Sequence, residues 1–329
     1  MPENKKEGCA FCGSAEGRVI FPKEMNFGTR KPYRYLDCAA CGGLSCQDEV
    51  PIAEAYPPEY FSFQKVAIRN GLAADLQSVL RSIKTALLLN RKAGFRKAVA
   101  ALFSEHYLFP WFRAARVTKR SAIMDIGCGT GGLLLYLKDC GFEKLTGIDP
   151  YIPTDLVYAN GLSIQKEGLG EVEGKYDFLI FHHVFEHTPD PLASISKTGN
   201  ILKEDGHILI IAPVADCFAY RKYGVYWASL DAPRHLAIPT KRSLQCVAEK
   251  AGLRIVATGY VPNDRQLWNS ELFLADISMI EADRGQFKGS ALDSKRRRRA
   301  LVAEAERLDA RQEGDIAVFL LKRNLGDGR

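Results

Sequence analysis

Residues 123–133 read Ile123-Met124-Asp125-Ile126-Gly127-Cys128-Gly129-Thr130-Gly131-Gly132-Leu133. Gly127, Gly129 and Gly132 fit the G-x-G-x-x-G spacing of a loop whose backbone can approach a bound nucleotide closely. The spacing alone is weak evidence, and it also suits a dinucleotide. Asp125 narrows the choice, because a carboxylate just before the first glycine is repelled by a pyrophosphate and attracts a ligand that carries an ammonium and a sulfonium.

A second acidic position follows the next apolar run. Asp149 stands twenty residues after Gly129, within Gly147-Ile148-Asp149-Pro150. An acid at the end of a strand can accept hydrogen bonds from both ribose hydroxyls of an adenosine. Dinucleotides and other adenosine cofactors would both use such an acid. Asp149 therefore predicts an adenosine-containing cofactor, and the choice between the cofactor classes rests on Asp125.

Short apolar runs alternate with helical stretches from residue 121 onward. This alternation predicts repeated β-α units around a parallel sheet, in a doubly wound α/β domain with its ligand site outside the carboxyl ends of the strands. Asp190 before Pro191 predicts a helix start, with the aspartate as N-cap. The expected strands lie near 121–126, 144–149, 162–166, 176–182, 206–212, 254–262 and 315–323.

Two motifs in this region carry a resemblance to a known family. The sequence D-I-G-C-G-T-G-G followed by G-I-D-P resembles the class I S-adenosylmethionine-dependent methyltransferases. Residues 176–191 resemble the H-V-x-E-H-x-x-D-P stretch of a subgroup with quinone-pathway and sugar enzymes. The resemblance covers roughly residues 117–262 and implies a seven-stranded Rossmann-like fold that binds S-adenosylmethionine. The implied cofactor-binding residues are Asp125, Gly127, Cys128, Gly129, Gly131, Asp149, Pro150 and His182.

The nine cysteines include two C-x-x-C-G motifs near the N-terminus, Cys9 with Cys12 and Cys38 with Cys41. Each short turn lets two thiolates reach one ion, and four thiolates close a tetrahedron around Zn²⁺ in a structural site. A thioredoxin-like redox role lacks its β-α-β context. We therefore expect a zinc ribbon whose intervening segment forms strands near residues 18–21 and 33–36.

A four-cysteine domain fused to this fold is similar to the sugar C-methyltransferases and their polysaccharide-pathway relatives. In that group a histidine after the fifth strand, preceded by an acid, is the proton-abstracting base, and His235 stands at the matching position. Arg234 replaces the acid, and the nearest carboxylate is Asp231. The departure leaves C-, O- and N-methylation open, and Arg234 could bind a substrate anion or merely anchor Asp231.

The other candidate catalytic residues surround two loops that follow strands. Histidine is the side chain best suited to accept a proton near neutral pH, so His235 is the first candidate base. Packing or helix-start roles are the alternative for each histidine, and Trp227 beside Tyr226 could line a pocket or pack its loop. The further candidates are His183, His187, Glu186 and Tyr226.

We expect three segments along the chain. Residues 1–56 form the zinc ribbon, residues 57–116 form a helical linker or lid, and residues 117–329 form the methyltransferase domain with a helical insertion at about 276–312. The lid contains two basic amphipathic helices, at about 72–87 and 95–103. Such helices can lie on an anionic membrane surface or cover the catalytic domain with a solvated basic face.

Composition sets the broad class. The 329 residues are 47% hydrophobic and 26% charged, which excludes collagen-like and wholly disordered chains. No apolar run approaches the roughly 20 residues of a membrane span, and the N-terminus lacks a hydrophobic signal core. We expect a cytoplasmic protein, with membrane association through the 72–112 region as an additional contact. The net charge of +6 permits an anionic partner without requiring one.

The expected function is methyl transfer from S-adenosylmethionine to a small molecule, namely a sugar, a nucleotide sugar or a lipid-linked glycan intermediate. One alternative is an RNA methyltransferase that uses the ribbon and the basic run 295–299. Acidic residues follow that run and no aromatic residues interleave with it, so nucleic acid is not the expected partner. A second alternative is a non-catalytic zinc-ribbon binding module.

Overall fold

The computed structural model describes residues 8–51, 55–56, 71–89, 105–261, 263 and 265–324. The expected second basic helix at 95–103 lies outside these residues, as does about half of the expected 57–116 segment. The chain forms two compact units. The first unit comprises Met1–Pro57, His183–Ile195 and Ile211–Phe319, and the second comprises Pro58–His182, Ser196–Ile210 and Leu320–Arg329.

The strands are β1 (Gly17–Ile20), β2 (Tyr35–Cys38), β3 (Leu44–Cys46), β4 (Ala122–Ile126), β5 (Lys144–Ile148), β6 (Leu156–Val157), β7 (Ser163–Gln165), β8 (Tyr176–His182), β9 (Leu202–Pro213), β10 (Ala237–Ile238), β11 (Leu253–Tyr260) and β12 (Ile316–Arg323). The α-helices are α1 (Leu72–Leu88), α2 (Phe109–Ala114), α3 (Gly132–Asp139), α4 (Pro191–Ile201), α5 (Phe218–Tyr223), α6 (Lys241–Lys250), α7 (Arg265–Leu274), α8 (Met279–Asp283) and α9 (Lys295–Ala310).

A mostly parallel sheet dominates the second unit, in the order β12-β9-β8-β4-β5-β7-β6. Strand β4 pairs in parallel with β5 and with β8, and β5 pairs in parallel with β7. Strand β6 pairs with β7 in the antiparallel direction. Strands β9 and β12 continue into the first unit, where β11 adjoins β12. The seven expected strands correspond to β4, β5, β7, β8, β9, β11 and β12, so the predicted α/β Rossmann-like fold is confirmed.

Central strands of this sheet are buried along their whole length. In β8 the side chains of Phe178, Leu179, Ile180 and Phe181 are all at most 1% exposed. A parallel strand covered on both faces needs such a continuous apolar run, and each side chain of this size contributes about 1.5–3 kcal/mol on burial. Asp125 interrupts the equivalent run in β4 while staying buried, which marks it as a functional position.

Helix α1 contacts α3 through polar side chains. Arg81 forms an ion pair with Asp139 at 2.6 Å, and the Ser78 hydroxyl donates to the Asp139 carbonyl at 3.3 Å. The apolar stripe that the sequence predicted is exposed by more than half, at Leu76, Val79, Leu80 and Ile83. Among the described residues, none of the helices has both the length and the apolar character needed to cross a membrane.

The first unit contains a four-stranded antiparallel sheet in the order β1-β2-β3-β10. Helices α8 and α9 lie in the segment of about 276–312 where a helical insertion is expected, and α7 precedes that segment. A hydrophobic cluster of this region includes Met25, Trp268, Leu272, Phe273, Ala282 and Leu292. Helix α4 begins as expected, because Asp190 Oδ1 accepts the backbone N–H of Ala193 at 2.9 Å.

Asp309, on α9, is a destabilising acid at neutral pH. Burial, then Asp315 and Glu306, raise its pKa from 3.8 to about 6, and neither of its carboxylate oxygens has a hydrogen-bond partner among the described residues. The folded state therefore holds this proton more tightly than the unfolded state, so stability falls as pH rises from about 4 to about 6.

We expect Asp309→Asn to stabilise the protein at pH 7 by about 1 kcal/mol, after allowance for partial exposure. The gain should shrink as the pH falls and disappear near about pH 3, where the wild-type carboxyl is largely protonated in both states. Urea unfolding at the two pH values measures this difference. The exposed acid Asp283 on α8, which is not among the charges that raise the pKa of Asp309, provides the control, Asp283→Asn. An equal gain at both pH values for Asp309→Asn would contradict the explanation.

Candidate cofactor and catalytic sites

The loop between β4 and α3 requires glycines. Gly127, Gly129 and Gly131 have φ values of 69°, 54° and 80°, in the left-handed region that disfavours side chains. A Cβ on Gly131 would also lie 2.7 Å from Ile164 Cδ1. Cys128, between the first two glycines, is partly buried, and burial raises the pKa of its thiol. The loop therefore keeps its backbone open to a ligand.

Asp149 follows β5 and braces the glycine loop. Its Oδ2 accepts the backbone N–H of Gly129 at 2.8 Å, and its Oδ1 accepts the backbone N–H of Tyr151 at 2.8 Å. Burial raises the pKa of Asp149, and these amide hydrogen bonds oppose that effect. The carboxylate keeps lone-pair capacity for a ribose hydroxyl. Pro150, next along the chain, is exposed.

Asp125 is a buried carboxyl that lacks a complete set of partners. It is 2% exposed, and its Oδ1 has no hydrogen-bond partner among the described residues. Burial, and then the charge of Asp149, raise its pKa well above the usual range. A cation beside this carboxyl would relieve the cost of ionising it, which is what the ammonium group of S-adenosylmethionine offers. The glycine loop, Asp149 and Asp125 together fit that cofactor.

Tyr107, also in the second unit, contacts the predicted cofactor residue His182. The sequence patterns did not identify Tyr107 as a site residue. Its hydroxyl lies 2.6 Å from Nε2 of His182, at the end of β8. Burial, and then Asp125, raise the pKa of Tyr107 to about 12. No motif contains Tyr107, so only its position in the fold shows that it orients the predicted cofactor residue His182.

In the first unit, four side chains form what we call the histidine cluster: His183, Glu186, His187 and His235. Glu186 is fully buried, and its Oε1 lies 3.6 Å from His183 Nδ1 and 3.9 Å from His235 Nε2. Burial raises the pKa of Glu186, but the three imidazoles outweigh it and lower that pKa to about 2. The structure thus brings four of the five predicted catalytic residues together around one carboxylate.

Backbone carbonyls fix the orientation of two imidazoles. His235 Nδ1 lies 2.8 Å from the carbonyl oxygen of Ser229, and His187 Nδ1 lies 2.9 Å from that of Arg234. A carbonyl only accepts, so each Nδ1 carries a hydrogen toward its carbonyl. The Tyr56 hydroxyl also lies 2.8 Å from His187 Nδ1. Burial, and then His235, lower the pKa of His187, which favours the neutral form of that ring.

The cluster can hold a proton or a cation. Ligand atoms of Glu186, His187 and His235 lie within 4.8 Å of one another. Two imidazoles and a carboxylate are ligands of divalent metals as well as partners in proton transfer. Elemental analysis of the purified protein distinguishes metal binding from proton transfer at this cluster.

Arg234 anchors the loop rather than facing a ligand. It is 1% exposed, its Nε donates to Asp231 Oδ1 at 2.9 Å, and its Nη2 donates to Glu24 Oε1 at 3.0 Å. Of the two roles that the sequence left open, the structure supports anchoring of Asp231. Trp227 likewise packs the loop, since its buried indole donates to Asp315 Oδ2 at 3.2 Å. Tyr226 is 39% exposed and lies outside the histidine cluster.

The four predicted zinc ligands meet at one point. Cys9 and Cys41 have their Sγ atoms 3.4 Å apart, those of Cys12 and Cys38 are 3.6 Å apart, and all four lie within 4.8 Å of one another. Accepting a hydrogen bond from Cys41 lowers the pKa of Cys9 to about 4, whereas the pKa of Cys41 rises. Four thiols at these distances fit the tetrahedral coordination of Zn²⁺.

Comparison with known proteins finds matches to methyltransferases. A protein family described as "Methyltransferase domain" matches residues 89–258, just over half of the chain. Human EEF1A lysine methyltransferase 2 is 36% identical over 77 residues, which cover 23% of this chain and 32% of that protein. The tRNA U34 carboxymethyltransferase of Aliarcobacter butzleri strain RM4018 is 26% identical over 184 residues, covering 48% of this chain and 58% of that protein.

The chain thus spans less than two thirds of either curated relative. Among solved structures, the 1,6-didemethyltoxoflavin-N1-methyltransferase of Burkholderia thailandensis, with bound 1,6-didemethyltoxoflavin and S-adenosylhomocysteine, has a TM-score of 0.39 and 13% identity. The alignment covers 79% of this chain and 93% of that one.

Proposed function

The chain belongs to the family of methyltransferase domains, and from this premise we propose that it methylates a sugar, a nucleotide sugar or a lipid-linked glycan intermediate. It uses S-adenosylmethionine as the methyl donor. The observation that carries the proposal is the histidine cluster, in which His235 holds Nδ1 against the Ser229 carbonyl and directs Nε2 toward the carboxylates of Glu186 and Asp231. Such a group suits an acceptor that must lose a proton.

S-adenosylmethionine supplies a methyl group that its sulfonium has already activated. The residues of the second unit would hold it: Asp125 would pair with the ammonium group, Asp149 would accept ribose hydroxyls, and the backbone of Gly129 would lie against it. His182, whose Nε2 contacts the Tyr107 hydroxyl, would border the methionine part. The protein gains rate mainly by aligning the acceptor with the methyl carbon and by excluding water.

His235 removes the acceptor proton. Its Nδ1–H is fixed by Ser229, and its Nε2 lies 3.8 Å from Asp231 Oδ2 and 3.9 Å from Glu186 Oε1. These carboxylates stabilise the imidazolium that forms on proton transfer. The acid that directly precedes the histidine in the sugar C-methyltransferases is absent, but Asp231, four residues earlier in the same loop, and Glu186, from another loop, supply negative charge. O-, N- and C-methylation are therefore all compatible with this site.

The basic run on α9 gives little support to an RNA acceptor. Arg297 forms an ion pair with Glu271 at 2.5 Å, and the guanidinium of Arg298 lies 5.7 Å from the ring centroid of Trp268. Two of its arginines thus have partners within the protein. The tRNA-modifying relative keeps RNA as the alternative to be tested.

A methyl-transfer screen tests the proposal. Purified protein is incubated with labelled S-adenosylmethionine and, separately, with nucleotide sugars, lipid-linked sugars and RNA. Incorporation into a sugar acceptor supports the proposal, and incorporation into RNA alone overturns it. Calorimetric titration with S-adenosylmethionine and with NADH provides a second measurement. Binding of NADH without binding of S-adenosylmethionine would contradict the assignment of Asp125 and the glycine loop.

We further propose that Cys9, Cys12, Cys38 and Cys41 hold one structural Zn²⁺ in a ribbon over residues 1–56. We expect one zinc per chain by elemental analysis, and Cys38→Ser should lose the metal with a stability loss of at least about 3 kcal/mol. Cys246→Ser, at a cysteine outside the cluster, is the control. Intact protein without zinc would contradict the ribbon, and a second metal ion would assign the histidine cluster to metal binding.

The exposed stripe of α1 supports a peripheral contact with a membrane, as an addition to a cytoplasmic location. Leu76, Val79, Leu80 and Ile83 are each more than half exposed. A lipid-linked acceptor would place the enzyme at such a surface. Co-sedimentation with anionic vesicles tests this contact.

A further inference from the structure

The four-cysteine segment within residues 1–56, which we call the N-terminal module, contacts the loop at residues 231–238 that carries the candidate base His235. Asn26 donates from Nδ2 to Asp231 Oδ1 at 2.6 Å, and Glu24 accepts from Arg234 Nη2 at 3.0 Å. Both contacts join residues more than 200 positions apart in the sequence. They bind the segment immediately before His235, and all these residues belong to the first unit.

The same module also holds the backbone at and after His235. The hydroxyl of Tyr35, a fully buried residue, donates to the His235 carbonyl at 2.9 Å. The backbone N–H of Cys46 donates to the Leu236 carbonyl at 2.8 Å, and the β10 residues Ala237 and Ile238 then pair with β3. Every step of the chain from 235 to 238 is thereby fixed from one side.

The second cysteine pair, Cys38 and Cys41, is part of this support. Thr240 Oγ1, at the N-cap of α6, donates to the carbonyl of Cys41 at 2.7 Å. Strand β2 ends at Cys38, and β3 begins three residues after Cys41. A metal bound by these cysteines therefore fixes the turn from which β3 reaches β10.

Glu24 occupies the most constrained position in this arrangement. It is 3% exposed and accepts hydrogen bonds from the backbone N–H groups of Phe27 and Thr29, at 2.8 and 3.0 Å, and from the Thr29 hydroxyl at 3.1 Å. Its charge is thus held in place by its own loop. Removing one partner of a buried ion pair leaves an uncompensated charge, a costly change.

Charge sharing links Glu24 to His235. The Arg234 guanidinium divides its charge between Glu24 and Asp231, and the second oxygen of Asp231 lies 3.8 Å from His235 Nε2. Without the Glu24 carboxylate, Arg234 would interact with Asp231 alone. Asp231 would then offer less negative charge to the imidazole, and the loop would lose its link to the module.

We infer that the N-terminal four-cysteine module is a built-in support for the candidate catalytic loop, with Glu24 as a positioning residue that acts on His235 through Arg234 and Asp231. The inference rests on the proposed function for the role of His235. It gives the ribbon a role inside the methyltransferase rather than in binding a separate macromolecule.

Hydrogen–deuterium exchange tests the support without any acceptor. In Glu24→Gln, we expect amides of residues 231–238 to exchange at least about tenfold faster, while those of β4 stay at wild-type rates and zinc content is unchanged. Glu16→Gln, at an exposed carboxylate of the same module, should match wild type. Unchanged exchange at 231–238, or equal acceleration in β4, would overturn the inference. Because no turnover is involved, failure of the methyl-transfer proposal would leave this result standing.

A kinetic comparison tests the positioning role. With an acceptor found in the screen, Glu24→Gln should lower kcat by about tenfold or more with little change in the KM for S-adenosylmethionine, because small displacements of a reacting group are costly. Glu24→Asp, which keeps the charge, should recover part of that loss. If Glu24→Gln does not fold, Tyr35→Phe removes a single hydrogen bond to the same loop and should produce the same kcat effect. A wild-type kcat in both variants would overturn the role.

Discussion

Replacing His235 with glutamine is expected to lower kcat by about 10³-fold while the affinity for S-adenosylmethionine stays at the wild-type value, since a positioned base contributes about 10²–10⁴ to a rate. Glutamine is close in size and can still donate to the Ser229 carbonyl, which His235 Nδ1 contacts at 2.8 Å. It has no lone pair of comparable basicity at the position of Nε2. Only proton transfer should therefore be lost.

Turnover of the acceptor identified in the screen, together with calorimetric binding of S-adenosylmethionine, measures the two effects separately. His207→Gln is the control, because His207 lies on β9 and is not part of the histidine cluster. Turnover of His235→Gln close to that of wild type would show that another group removes the proton, or that the acceptor reacts without losing one.

Replacing Asp149 with alanine is expected to weaken binding of S-adenosylmethionine by at least about 100-fold, since each hydrogen bond to a charged group is worth about 1.5–3 kcal/mol. The carboxylate accepts backbone N–H groups from Gly129 and Tyr151 and keeps lone-pair capacity for the ribose. Alanine loses the ribose contacts and also frees the glycine loop from its brace.

Calorimetric titration with S-adenosylmethionine measures the loss. Glu143→Ala is the matched control, because Glu143 is an exposed acid just before β5, the strand that Asp149 follows. An affinity for Asp149→Ala within a few-fold of the control would contradict the assignment of Asp149 to the ribose.

Sequence motifs predicted the parts of each site that are local in the chain. The glycine loop, Asp125 and Asp149 were predictable because strand ends, glycine conformation and short spacings leave a pattern within about 25 residues. The cysteine pairs were predictable for the same reason, since each knuckle is a single turn. The clustering of His187 with His235 was only partly predictable, because the two loops are joined by tertiary contacts.

Other features had no signature in the sequence. Tyr107 lies beside His182 although 75 positions separate them, and Glu24 reaches Arg234 across 210 positions. The apolar stripe of α1 predicted a helix, but its periodicity gave no information about which face would be covered, and the polar face contacts Asp139 on α3.

The sequence by itself determined the α/β class, the cofactor loop and the four-cysteine pattern, because each depends on residue types at short, regular spacings. The candidacy of His235 came from the resemblance to the sugar C-methyltransferases. The tertiary structure alone decided that Arg234 is an internal anchor, that Asp231 and Glu186 both face His235, and that the N-terminal module holds that loop. Those relations arise from buried ion pairs and strand pairing between distant segments, and such contacts leave no periodic pattern along the chain.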